Sequence, residues 1–184
     1  EFRKYVPRLA ASRLGPTALN LQLHTHLGPP EAVTLHDYKD QLQRGAAKVL
    51  HSDEPTARRR LAIVGASMGA TLALLVLPTL KPDAIVLVNA ALPKAYCARS
   101  PASTASIPPI KRWAGSSIER TARAMPDATM AMCAYASRRW RDESGAVLRA
   151  LRTWEAPPRP DCPVLFVVGG ADEDMPAASQ IAWA

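Results

Sequence analysis

Three short runs of apolar residues stand out along the chain, near residues 61–64, 84–89 and 163–168. Each is continuous rather than alternating, the pattern of a strand buried on both faces of a parallel sheet. An Ala/Leu-rich segment of helical character follows the first run up to Pro78, and Lys81-Pro82-Asp83 makes a turn before the second. Strand, helix, strand predicts a right-handed crossover unit in an α/β sheet. Upstream, Tyr38, Leu42, Ala46 and Val49 recur at near-helical spacing. This predicts a helix opened by Thr34 or Asp37 as cap and ending near His51–Pro55. Residues 1–30 show no clear period, although Tyr5–Leu9 could be the tail of a strand.

Residues 94–160 break the rhythm. They are rich in Pro, Ser and Arg, with helical patches at Ile118–Ala124 and Glu143–Leu151. The plain alternative is an irregular surface excursion. We read a cap or lid over the strand ends, because Trp113, Trp140, Trp154 and Met125, Met130 and Met132 need something apolar to cover. The expectation is a single α/β domain over 1–184, a mainly parallel sheet with flanking helices and a helical cap insertion at 94–160.

Composition narrows the function. The chain has 184 residues and a net charge of +7, and 184 residues suffice for one sizeable core. The positive residues are dispersed, densest at Arg58–Arg60 and at Arg138, Arg139 and Arg141. Such a distribution reads as a solvated basic face, and no nucleic-acid module accompanies it. Aromatics make up only 5%, too few for base-stacking platforms. Cys97, Cys133 and Cys162 are widely spaced and form no C-x-x-C pair. They suggest neither a zinc site nor a disulfide framework, and lean toward a reducing, cytoplasmic compartment. The apolar run at Ala70–Leu77 is too short to span a bilayer, and the first residues lack the apolar core of a signal peptide. His24 and His26 would share one strand face, but no carboxylate or cysteine lies near enough in sequence to complete a metal site. The sequence sets no oligomeric state.

The chemistry gathers where the first strand ends. Gly65-Ala66-Ser67-Met68-Gly69 lies between an apolar strand and an apolar helix. A serine on so sharp a turn is held in strained backbone geometry with its hydroxyl in the open. The residues two before and two after it are expected to be small, to avoid collision across the turn. The helix start then aims free amides, Met68 N–H among them, at a developing oxyanion. The third strand runs into Gly169-Gly170-Ala171-Asp172-Glu173-Asp174, which puts carboxylates outside the carboxyl end of the sheet, where catalytic groups gather. Asp172, nearer the strand end, is expected closer to Ser67 than Asp174.

These stretches resemble the α/β-hydrolase family of serine esterases and lipases. GASMG looks like its nucleophile elbow, PVLFVVGGADEDMP its late strand and acid loop, IVLVNAALP the strand leading into the cap, and TLHDYKDQL the helix before the elbow strand. The resemblance covers roughly 34–93 and 160–176. It implies Ser67 as nucleophile, Met68 N–H as oxyanion donor and Asp172 as triad acid. It also implies a small-molecule ester or similar acyl substrate, with no metal or organic cofactor. The departures are equally concrete. All four histidines precede Ser67, whereas the family places its histidine after the acid. The twelve residues after Asp172 leave little room for a further helix, which alone takes about 8–20 residues. The early strands and the loop carrying the second oxyanion donor are missing too, so the sequence reads as a member shortened at both ends. The expected functions are a serine hydrolase acting through an acyl-enzyme on Ser67, or a non-catalytic binding module that keeps the fold. Little esterase activity is expected of this chain unless His24 or His26 folds back onto Ser67.

Overall fold

Where the backbone cannot bond to itself, side chains take over, and the first helix shows this. The computed structural model describes residues 27–50, 60–97, 107–113, 115, 117–170, 172 and 175–184. After a 3₁₀ turn at Pro30–Ala32, helix α1 spans Leu35–Leu50. Thr34 and Asp37 cap it reciprocally. The Asp37 carboxylate accepts from Thr34 N–H and Oγ, and Thr34 Oγ accepts from Asp37 N–H. Both expected caps are therefore used at once, in a capping-box arrangement. The Thr34 hydroxyl and amide hold the Asp37 carboxyl below its usual range.

Strand β1 (Ala62–Ala66), helices α2 (Met68–Leu75) and α3 (Leu77–Leu80), and strand β2 (Ala84–Val88) follow. Pro78 does not end the helical stretch as expected. The break falls at Val76, and Pro78 lies in the first turn of α3, where its missing N–H costs nothing. Residues 107–153 contribute a short antiparallel pair, β3 (Ile110–Lys111) with β4 (Glu143–Ser144), and helices α4 (Ile118–Ala124), α5 (Met130–Ser137) and α6 (Gly145–Thr153). The expected helix at 143–151 thus begins two residues late, because Glu143 and Ser144 pair with β3. A 3₁₀ turn at Lys94–Tyr96, strand β5 (Val164–Val167) and helix α7 (Ala177–Trp183) complete the described elements.

The three apolar runs form one parallel sheet in the order β1-β2-β5. Asp83 ties the starts of two strands, its N–H donating to Leu61 O and its carboxylate accepting from Leu61 N–H. One sheet face carries Ile85 and Leu87, both buried. With Ala70, Ala73, Leu74 and Trp154 they form the main core, against which Ile63, Val164 and Phe166 pack. The opposite face differs from expectation. Val64, Val86 and Leu165 align in one row across the sheet, yet Val64 is 48% and Leu165 58% exposed. The strands are apolar on both faces, but helices cover only one among the described residues.

A second core joins α1, α2 and α6 through Val33, Tyr38, Leu72 and Val147. At its edge the Tyr38 hydroxyl donates to Glu143 Oε1 at 2.8 Å, which also accepts from Ser144 N–H. Burial, and then the bond to Glu143, push the Tyr38 phenol up from its ordinary value. A raised acid contributes stability that is present below its unfolded pKa, near 10, and is lost as pH climbs past it. Tyr38→Phe is therefore expected to cost about 1–3 kcal/mol at neutral pH and to flatten the fall in stability above about pH 10. Urea unfolding at pH 7 and pH 10.5 measures both.

Candidate active site

The turn between β1 and α2 has the form the sequence predicts. Ser67 lies at φ 50°, ψ −119°, a left-handed conformation that side chains rarely adopt, and the residue is exposed. Its backbone is held on both sides. Ser67 N–H donates to Val88 O at 2.9 Å, and Ser67 C=O accepts from Ala70 N–H and Ala91 N–H. Such a conformation costs of order 1–3 kcal/mol and persists only where neighbours over-determine it. Here the ends of β1, β2 and α2 do so together.

The two glycines of the motif do different work. A Cβ on Gly65 would fall onto the Gly69 carbonyl and lie 2.7 Å from Ala70 Cα. A Cβ on Gly69 would meet no described atom within 4 Å. The expectation that both must be small is thus corrected: the turn is tight on the strand side only, because the Gly65 Cβ direction crosses the turn while that of Gly69 leaves it. Met68 opens α2, so its amide has no preceding helical carbonyl to donate to. Its side chain packs against the second core.

Asp172 is half-buried beyond the end of β5. Its Oδ1 accepts from Met175 N–H and its Oδ2 from Asn89 Nδ2, both at 2.9 Å. Asn89 also accepts from Gly169 N–H at 2.6 Å. Asn89 is the residue the sequence reading missed. It closes the β2 run at φ 41°, and a lone amide ending an apolar strand was the available signal, since Asn tolerates that conformation. Asn89 ties the Asp172 loop to the strand end that also holds Ser67 N–H, one residue earlier. Asn89→Leu keeps the volume but removes both bonds. It is expected to destabilise the fold by about 1–3 kcal/mol and to increase proteolysis near Gly169 and Asp172, read by limited digestion and mass spectrometry.

Asp174, His24, His26 and His51 lie outside the described residues. His36, on α1, lies 3.4 Å from Asp40 with its side chain 73% exposed. Among the described residues no group of three His, Cys, Asp or Glu side chains could hold a metal ion, and no helix is long and apolar enough to cross a membrane. A cavity of about 280 Å³ opens between the Gly28–Val33 segment, Tyr38 and the Trp140-Arg141-Asp142 stretch. The tryptophans expected in a lid part company. Trp113 and Trp140 are neighbours at 6.3 Å, but Trp154 is buried in the sheet core and donates from its indole to Leu92 O. Met130 and Met132 face outward, 62% and 46% exposed.

The alpha/beta hydrolase family model matches residues 1–184. The chain belongs to that family, whose members are generally hydrolytic. No curated protein matches the chain.

Proposed function

We propose that the chain is a serine hydrolase acting on carboxylic esters or similar acyl substrates. The observation that carries the reading is the exposed Ser67 held at φ 50° between β1 and α2. Ser67 Oγ attacks the substrate carbonyl carbon and gives its proton to a base. Met68 N–H supports the oxyanion, the alcohol leaves with a proton, and water then hydrolyses the acyl-enzyme. In this reading Asp172 is the acid that orients the base. It is already fixed by Met175 N–H and Asn89, as an orienting group must be.

The order of residues supports a second reading, a binding module that keeps the fold, since all four histidines precede Ser67. General-base catalysis is typically worth ~10²–10⁴-fold, so an elbow without its histidine would bind acyl groups and turn them over poorly. A fluorophosphonate probe and a short-chain activated ester separate the two. Hydrolase function predicts Ser67-dependent labelling and turnover, with His24→Ala or His26→Ala removing turnover if either is the base. Absence of labelling on Ser67 would refute the proposal. Neither labelling nor turnover would select the binding module.

A further inference from the structure

We propose that the cavity between the Gly28–Val33 segment and the Trp140-Arg141-Asp142 stretch binds a small monocarboxylate with an apolar body. Its volume of about 280 Å³ lies just below the roughly 300–1,000 Å³ of most small-molecule sites, which suits a single ring on a short chain. Pro30, Val33, Tyr38 and Trp140 supply an apolar wall, and Arg141 and Asp142 supply charge. The wall is preorganised. Val33 O accepts from Ser144 Oγ at 2.6 Å. Tyr38 is buried and bonded to Glu143. The Trp140 indole donates to Thr121 Oγ1 at 2.9 Å. A site whose walls are already ordered loses less entropy when it binds.

Charge selects the ligand. Asp142 is bonded on both oxygens: Oδ2 pairs with Arg112 Nη1 at 2.6 Å, and Oδ1 accepts from Trp113 N–H at 3.0 Å. Arg141 is the exception on this wall. It stands between two anchored neighbours, is exposed, and makes no hydrogen bond, ion pair or ring contact with any described residue. A guanidinium presents a planar fork that a carboxylate meets with two parallel N–H···O bonds. One such arginine fits one carboxylate, and a second anionic group would be repelled by Asp142. A neutral apolar molecule would leave the guanidinium unmatched. Inorganic phosphate would leave the apolar wall bare. The proposal does not rest on Ser67 chemistry, and its test uses no turnover, so the hydrolase reading can fail without it.

The test follows the Trp140 indole N–H of the full chain by two-dimensional NMR, its signal identified as the one missing from Trp140→Phe. Hydrocinnamate is the probe, and its titration should shift that signal saturably. Hydrocinnamyl alcohol, with the same body and no charge, should bind at least about tenfold more weakly, because the charge-assisted pair is lost. Arg141→Gln should weaken hydrocinnamate binding to the same degree at unchanged far-ultraviolet circular dichroism, since Arg141 holds no described part of the fold. Arg138→Gln removes an exposed charge that does not line the cavity, and should bind as the unsubstituted chain does. The comparison of acid with alcohol needs neither variant. No saturable shift, equal affinity for acid and alcohol, or binding unaltered by Arg141→Gln would overturn the proposal. An equal shift from inorganic phosphate would assign Arg141 to bare anions and overturn it too. Equal losses in Arg138→Gln and Arg141→Gln would mean a diffuse basic face and do the same.

Discussion

Gly65→Ala is expected to be among the most damaging single-methyl additions in the chain. The new Cβ would occupy the Gly69 carbonyl's space and press on Ala70. Both are backbone, so no side chain can swing aside. Overpacking usually costs about 1–3 kcal/mol, and against an immovable partner the top of that range or more is expected. Gly69→Ala, two residues past the serine, should be neutral or gain roughly 0.5–1 kcal/mol, the usual advantage of alanine inside a helix, because its Cβ points into open space. Urea unfolding of the two variants side by side measures the asymmetry. Equal losses would refute the one-sided account of the turn.

Ser67→Gly is expected to uncouple stability from chemistry. Glycine takes φ 50° without the Cβ penalty that Ser67 bears. Relief of about 1–3 kcal/mol of backbone strain is partly offset by glycine's greater freedom when unfolded, roughly 0.4–1 kcal/mol. A net gain of about 1 kcal/mol would raise Tm by about 2–4 °C for a chain of this size. Ser67→Ala keeps the strained geometry and should show no such rise. Both variants should lose all Ser67-directed fluorophosphonate labelling. A Ser67→Gly variant no more stable than Ser67→Ala would mean that the turn stores no strain at this residue.

The parallel sheet and the elbow were legible because they rest on local rules. A continuous apolar run is a strand signal whatever its neighbours, and the β1 and β2 runs appear within two residues of where the sequence puts them. The shape of the turn followed from the Gly65–Gly69 motif set between an apolar strand and an apolar helix. What escaped the sequence depends on pieces far apart in the chain. Asn89 meets Gly169 and Asp172 some eighty residues later, and nothing local to Asn89 announces them. Trp154 looks like a lid residue by its neighbours, yet the main core claims it because Leu92 O accepts its indole N–H. The covering of the sheet on one face among the described residues was equally invisible, since apolar runs report what a strand can bury rather than what covers it.

Helix α7 lays Trp183 against the sheet core. Its ring lies edge-on to Trp154, with centroids 5.8 Å apart and an interplanar angle of 83°, and edge-on to Phe166 at 5.2 Å. Two indoles fixed this closely and at right angles couple their electronic transitions. The junction of α7 with β5 and with Trp154 at the end of α6 therefore adds its own near-ultraviolet contribution beside that of the Trp113–Trp140 pair. Near-ultraviolet circular dichroism reports fixed tertiary packing and vanishes when packing loosens while helices persist. The part of the signal that Trp183→Phe removes belongs to this junction, and its loss at unchanged far-ultraviolet ellipticity would time the release of α7 from the core.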